Sequence, residues 1–325
     1  MTSFNSERPS EFALIAELFA PLAKSAPGAL GLTDDAALIA PPPGYELVIT
    51  TDTLVEGVHF LADDPAASIA KKALRVNLSD LAAKGAEAAG YLLALSLPRT
   101  VDMNWLRAFA KGLSEDQRLF DVLLHGGDTT STPGPISITI TAFGFVPQGM
   151  MIQRGGAKPG NLVFVSGTIG DAGAGLEAIK TKTEGHAYLK ERYGEPSPRM
   201  KLGRALRGMA SAALDVSDGL LADLAHIAEI SGVRIEIDAS RIPLSQELRA
   251  LWGDDCVVRA ASSGDDYEIA FTVPDNRQGL VKEIAKGRAS TSITEIGRVV
   301  AGQGVVLLGE NAREIPVLRA GYTHF

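Results

Sequence analysis

The chain has 325 residues, 46% of them hydrophobic, and a formal net charge of −8. That length exceeds one ordinary core and fits two domains, and the hydrophobic share excludes a disordered chain. Acids spread along the chain with no basic patch exclude nonspecific binding to nucleic acid or to an anionic membrane, and one cysteine, Cys256, excludes an intrachain disulfide and a Cys/His zinc framework.

The opening "MTSFNSERPSEF" is polar and is no signal peptide. The next segment predicts a helix over 11–24, capped by Ser10, with Phe12, Ile15, Phe19 and Leu22 on one face. Strands are expected at about 36–40 and 46–51. "DPAASIAKKALRVNLSDLAAKGA" predicts a helix with Asp64 as cap and Pro65 at its first position. A strand ("GYLLALSLP"), an amphipathic helix at about 102–118, a short strand ("DVLLHGG") and a long one ("PISITITAFGFV") follow. No apolar run reaches the ~20 residues of a membrane helix, so a soluble cytoplasmic protein is expected.

The Gly- and Pro-rich "PQGMMIQRGGAKPGN" marks a boundary, giving an N-terminal domain of residues 1–148 and a C-terminal domain of residues 149–325. The second half restarts with the strand "LVFVSG" and predicts helices at about 170–181 and 199–212. A helix from Ser217 to Ile230 should bury Leu220, Leu221, Leu224, Ile227 and Ala228. Strands at about 233–238, 267–273, 292–299 and 304–308 and a helix near 275–286 complete a two-domain α/β (α+β) chain.

Acids recur beside Ser, Thr or Gly at strand ends and helix starts. They are Asp34 and Asp35 in "GLTDDAAL", Asp52 in "TTDTL", Asp80 in "NLSDLAAKGA", Asp128 in "HGGDTT", and Asp215 with Asp218 in "DVSDG". Unpaired carboxylates next to apolar segments are costly. With almost no Lys or Arg beside them in sequence, the set suits a hard cation, Mg²⁺ above all. Each motif alone also reads as a turn or a cap, and the case rests on their joint occurrence. Gly126 and Gly127 let backbone N–H groups approach an anion, and "RGGAKPG" offers Arg154 and Lys158 as phosphate holders or as a plain linker. Gly173, Gly175 and Ala178 mimic a dinucleotide fingerprint. They lie too far beyond their strand, and no second strand ending in an acid follows. His59 tilts toward substrate, and Asp265 with Asp266 forms either a loop or a ligand clamp.

The order of "DDAAL", "TTDTLVEGVHF", "KALRVNLSDLAAKGA", "GGDTT", "RGGAKPG", "SGTIGDAGAGL", "DVSDGLLADLAHI", "SSGDDYEI" and "GYTHF" resembles that of the thiamine-monophosphate kinases over essentially the whole chain. Their superfamily includes aminoimidazole ribonucleotide synthetase, selenophosphate synthetase and a hydrogenase-maturation protein. The resemblance implies two aminoimidazole-ribonucleotide-synthetase-like α/β domains, each a mixed sheet packed with helices, and a homodimer formed through N-terminal strands. It implies Mg²⁺ ligands at Asp35, Thr50, Thr51, Asp52, Asp80, Asp128, Asp215 and Asp218. It also implies ATP contacts at Gly127, Asp128, Arg154 and Ser217, and thiamine monophosphate contacts at His59, Asp265 and Tyr322. Asp52, Asp128, Asp215 and Arg154 would carry the transfer itself, a direct in-line passage of the ATP γ-phosphoryl group to thiamine monophosphate. Departures from the family pattern fall at Thr33, Lys84, Ala110, Asn161, Ser263 and Asp265, with Lys84 and Asn161 expected to stay clear of the chemistry. The competing readings are another ATP-using synthetase of the same superfamily and a divalent-cation-binding protein without turnover.

Overall fold

The structure is a computed structural model and describes residues 11–287 and 291–323. The chain divides into two compact units. One comprises the described residues up to Leu78 together with Ala88–Phe145; the other comprises Ser79–Glu87 together with the described residues from Val146 onward.

The first unit opens with short helices α1 (Glu11–Leu14) and α2 (Ala20–Ala23), joined by a π-helical turn, Ile15–Phe19. The sheet strands are β1 (Tyr45–Val55), β2 (Glu87–Leu97), β3 (Leu123–Ser131) and β4 (Ser137–Pro147), in the order β1-β4-β2-β3. Helices α3 (Ala66–Ala83) and α4 (Met103–Phe120) intervene. On α4 the buried Leu106, Phe109, Ala110, Leu113 and Gln117 recur at helical spacing. Asp102 caps its start by accepting from Trp105 N at 2.8 Å, and Asp121 ends it in the left-handed conformation. A buried bidentate pair ties α3 to α4: Arg75 Nε and Nη2 donate to Asp116 Oδ2 and Oδ1, both at 2.7 Å.

β2 and β3 run parallel, and a register shift at Tyr91/Leu92 sets Leu93 opposite Gly127 and Ala94 opposite Asp128. A Cβ on Gly127 would lie 1.8 Å from Leu93 O, so only glycine allows this approach.

The second unit holds a six-stranded sheet of β5 (Asn161–Ser166), β6 (Ala212–Asp215), β7 (Arg234–Asp238), β8 (Ile269–Pro274), β9 (Ile293–Val300) and β10 (Gly304–Leu308), ordered β10-β7-β9-β5-β8-β6. β10 and β7 pair in parallel; the other neighbours in this sheet run antiparallel. Helices α5 (Asp171–Lys180), α6 (Ala187–Gly194), α7 (Met200–Leu206), α8 (Leu220–Ser231), α9 (Gln246–Trp252), α10 (Val257–Ala261) and α11 (Gln278–Gly287) complete it. Strand alternation sorts two cores. Val163, Val165 and Leu214 meet the apolar face of α8, while Phe164, Ala213 and Phe271 meet Leu202 and Leu206 of α7 and Ala82 and Ala83 of α3.

Several expectations are corrected. The helix over 11–24 is interrupted: the π turn bonds Ala20 N to Ile15 O and rotates the face, so Leu14, Leu18 and Leu22 are buried while Phe12 is 80% exposed. The proposed Ser10 cap lies outside the described residues. Residues 36–40 form no strand, because Leu38 N bonds to Gly28 O and no ladder follows. The helix expected over 199–212 stops at Leu206, and 212–215 is strand β6. Helix α8 starts at Leu220, not Ser217, and buries all five residues expected of it. Among the described residues no helix is long and apolar enough to cross a membrane.

The α3–α4 tie yields a test. Asp116→Ala leaves the Arg75 guanidinium buried without its carboxylate, and should lower the unfolding free energy by about 3 kcal/mol in a urea titration.

Candidate active site

In the first unit, the segment 27–39 and strand β3 border a pocket of about 560 Å³. Asp34, Asp35, His125, Gly126, Gly127 and Asp128 supply its polar wall, with Thr139 and Thr141; Ile15, Phe19, Leu32, Ile39 and Leu124 supply its apolar wall. Asp35, Gly127 and Asp128, widely separated in sequence, therefore share one cavity. His125, quoted in its motif but given no role by sequence, lines it too. Its Nδ1 lies 3.1 Å from Leu123 O and its ring meets Phe143 edge-on at 4.9 Å. A ring nitrogen facing a carbonyl carries a proton, so in the neutral ring Nε2 is the acceptor.

Strand β1 does not present Thr50, Thr51 and Asp52 together. Successive side chains alternate across a strand, so Thr50 and Asp52 share one face and Thr51 takes the other. Thr51 Oγ1 lies 3.0 Å from Thr141 Oγ1 and 3.2 Å from Ile140 O, on the side of the threonines that line the pocket. As side-chain ligands the three cannot all serve one ion. His59 closes the turn after β1: its Nδ1 accepts from Val55 N at 3.0 Å, and its carbonyl accepts from Lys72 Nζ at 2.9 Å.

In the second unit, three loops meet. Asp215 ends β6, buried, and the turn 216–219 leads into α8. Asp223, in the first turn of α8, accepts from Ser217 N, Asp218 N and Gly219 N at 3.0, 3.0 and 3.1 Å, all on one oxygen. Ser217 and Asp218 are therefore not caps; their own amides are held by a residue that sequence reasoning missed. The signal for Asp223 was an acid four residues beyond a glycine at a helix start, which reads equally as a plain dipole partner. On this turn hang the other two loops. Asp265 N donates to Ser217 O at 2.8 Å and Tyr322 N to Asp218 O at 2.9 Å. Gly264 and Gly321 permit it, since a Cβ on either would lie 2.4 and 2.5 Å from those same carbonyls. Asp265 and Tyr322 are thus brought together with Ser217 and Asp218, Asp265 with positive φ of 69°. Arg319 lies over the Tyr322 ring at 5.9 Å. Below them Glu268, fully buried, binds Ser166, Arg192 and Arg199 and fixes the base of the 262–268 loop.

The charges of Asp80, Arg154 and Asp215 all act on Lys84, a residue expected to stay clear of the chemistry. Lys84 N bonds to Asp80 O one helical turn back, Lys84 O accepts from Ile152 N at 3.1 Å, and Lys84 Nζ donates to Ala213 O at 2.8 Å. Ala213 N in turn donates to Gln153 O at 3.0 Å. Burial, and then Arg154, push the Lys84 ammonium down to about 8, against the pull of Asp215 and Asp80. The Asp80 and Asp215 carboxylates are therefore not without a basic neighbour, and Lys84 is part of their setting. Asn161, by contrast, only braces its loop, its Oδ1 accepting from Ser211 Oγ at 2.7 Å. Ala110 is buried on α4.

Among the described residues no three Asp, Glu, His or Cys side chains gather closely enough to hold a metal ion unaided. Mg²⁺ does not require that: it is commonly held by one or two carboxylates, retained waters and substrate phosphates. Exposed hard oxygens at Asp35 and Asp128, and the Asp80 and Asp215 pair, fit such a partial ligand set.

Burial first, and the charge of Asp218 second, raise Asp223 to about 7 against its three amide donors. The unfolded carboxyl titrates near 3.8, so between about pH 4 and pH 7 the folded state binds the extra proton and stability falls as pH rises. In Asp223→Asn, chemical denaturation across this window should show a shallower fall than the parent protein.

The chain matches the AIR synthase related protein family twice, the N-terminal domain over residues 33–146 and the C-terminal domain over residues 158–310. It is 46% identical to the thiamine-monophosphate kinase of Caulobacter vibrioides over 323 residues, covering 97% of this chain and 91% of that one. The crystal structure of the thiamine-monophosphate kinase from Stenotrophomonas maltophilia K279a is 40% identical, with 94% and 98% of the two chains covered and a TM-score of 0.85. A structure of AaThiL complexed with AMPPCP and TMP is 32% identical over 97% of each chain, with a TM-score of 0.78. With identity of this order along nearly its full length, and with two AIR-synthase-type domains, the chain belongs to the thiamine-monophosphate kinase family.

Proposed function

We propose that this chain transfers the γ-phosphoryl group of ATP directly to thiamine monophosphate, giving thiamine diphosphate, and that it requires Mg²⁺. The observation that carries the reading is the pairing of chemistry with family. A relative of 32% identity is described as complexed with AMPPCP and TMP, and this chain groups Asp35, Gly127 and Asp128 around one cavity and Asp80, Arg154 and Asp215 around another centre.

The acceptor is a phosphate oxygen, largely ionised at neutral pH because its second pKa is about 6. No strong general base is needed, and the work left to the protein is alignment and charge neutralisation. Gly127 and Asp128, with Arg154 and Ser217, are assigned to ATP; the exposed Arg154 guanidinium suits a phosphate oxygen bidentately. The apolar wall of Phe19, Leu32 and Ile39, with His125 Nε2 as acceptor, suits a flat heteroaromatic base. Asp265 and Tyr322 are assigned to thiamine monophosphate, the Tyr322 ring face being already suited to a cation, as Arg319 demonstrates. His59 is assigned to the same substrate through Nε2, since Nδ1 is committed to Val55 N.

Asp35, Asp80, Asp128, Asp215 and Asp218 would hold Mg²⁺, with Thr50, Thr51 and Asp52 contributing from the two faces of β1. When bound, the metal supplies positive charge that offsets the repulsion between two polyphosphates. A homodimer is proposed through β1, an edge strand of eleven residues whose Tyr45 and Ile49 are exposed. A cytoplasmic location is part of the same reading.

The deciding assay follows ATP consumption with and without thiamine monophosphate, and identifies the product. Turnover should depend on thiamine monophosphate and vanish with EDTA. Asp215→Asn and Asp128→Asn should each lower kcat about 10²-fold or more and raise the Mg²⁺ needed for half-maximal rate. ATP turnover indifferent to thiamine monophosphate would reject the reading, as would unaltered metal dependence in both variants.

A further inference from the structure

Asp265 sits in a loop whose side chains alternate between inward and outward. Asp266 and Glu268 point inward and are fully buried. Asp266 Oδ2 and Oδ1 accept from Gly170 N at 2.6 Å and Ala172 N at 3.2 Å, and its carbonyl accepts from Arg192 Nη2 at 2.8 Å. Asp265 and Tyr267, on either side of Asp266, are half-buried. Both are pinned through their amides, Asp265 N to Ser217 O and Tyr267 N to Val216 O, each at 2.8 Å. The Tyr267 hydroxyl then donates to Asp265 Oδ1 at 3.2 Å. The backbone that permits this has φ of 69° at Asp265 and 51° at Tyr267. An aspartate tolerates that left-handed conformation, but a bulky aromatic is strained in it and stays only where its surroundings hold it. The amide bonds to Ser217 and Val216 on one side, and the buried Asp266 and Glu268 on the other, supply that hold.

We propose that Tyr267 is a positioning residue for thiamine monophosphate, its hydroxyl directing the Asp265 carboxylate toward the cationic ring system of the substrate. The proposal deepens the functional reading above and rests on it for the identity of the substrate. Asp265 and Tyr322 hang from successive carbonyls, Ser217 O and Asp218 O, so an acid and an aromatic residue are anchored side by side. That pairing suits the fixed positive charge of a thiazolium ring. An aspartate side chain turns between rotamers, and only some of them bring its charge to a ligand. The phenol bond biases that choice before substrate arrives, which reduces the conformational freedom that binding must remove. At 3.2 Å the bond is long for a hydroxyl donor, so its loss should weaken substrate binding without abolishing it.

The test follows turnover with thiamine monophosphate varied at saturating ATP, and with ATP varied at saturating thiamine monophosphate. Tyr267→Phe removes only the hydroxyl, and should raise the KM for thiamine monophosphate about fivefold while the KM for ATP stays within about twofold. Asp265→Ala should raise the KM for thiamine monophosphate further, and adding Tyr267→Phe to it should change nothing more, because the group that the phenol directs is gone. A loop merely loosened by the substitution would raise KM in both backgrounds, and that result overturns the proposal. So does an unchanged KM for thiamine monophosphate in Tyr267→Phe. Thermal unfolding shows whether Tyr267→Phe folds; if it does not, Tyr267→Asn, which suits the left-handed backbone and lacks the phenol, decides by the same criteria. A parent protein without turnover dependent on thiamine monophosphate overturns the functional reading and the proposal together, whereas a parent with that turnover and an unaffected Tyr267→Phe overturns the proposal alone.

Discussion

Three amide hydrogens converging on one oxygen of Asp223 hold the 217–219 turn, and the second unit's site is suspended from that turn. Without an acceptor there, the amides of the turn that leads into α8 would be left unsatisfied, at about 1–3 kcal/mol for the buried Gly219 N. Ser217 would be the expected cap, yet Gly219 takes the cap position with φ of 127° and the acceptor comes from inside the helix. The result is a turn whose carbonyls point outward. Ser217 O and Asp218 O then accept from Asp265 N and Tyr322 N, so two loops 48 and 104 residues away are anchored by backbone bonds.

The same economy operates beneath the 262–268 loop. Glu268 binds Ser166, Arg192 and Arg199, and Asp266 accepts from Gly170 N and Ala172 N at the start of α5. Burial, more than any neighbour, pushes Asp266 up to about 8. These buried acids are structural in the sense that each satisfies donors from another element. The exposed acids Asp35 and Asp128, by contrast, face a cavity. That contrast separates carboxylates that build the site from those fitted to face a ligand.

Much of this was legible in sequence, and the pattern of failures is physical. Helix α8 and the long strands were readable because their apolar residues recur over at least two periods. Asp35, Gly127 and Asp128 stood out in sequence because acids and glycines recur together in their motifs, and the fold sets all three on one cavity wall. Helices α6, α9 and α10 span eight, seven and five residues, too short for a period to declare itself. The π turn at Ile15–Phe19 moves the buried face by one residue with no mark in composition. The alternation that divides Thr50, Thr51 and Asp52 between two faces was implicit in the strand assignment, and grouping the three as one motif overlooked it. Lys84 was set aside because its meaning lies in partners 70 and 129 residues away, Arg154 and Ala213, which local spacing cannot reveal.

These constraints bear on how metal and nucleotide depend on each other. With no three acids grouped among the described residues, the Mg²⁺ proposed above would depend on ligands beyond the protein's own side chains. On that proposal phosphate oxygens would complete the ligand set, and much of the free energy of metal binding would be realised only with nucleotide present. Linkage then runs both ways: whatever factor nucleotide adds to metal affinity, metal adds to nucleotide affinity. A site with more carboxylates in one place would hold Mg²⁺ permanently and lose that coupling. On that proposal, scarcity of clustered acid would make the ion arrive with the substrate whose charge it offsets.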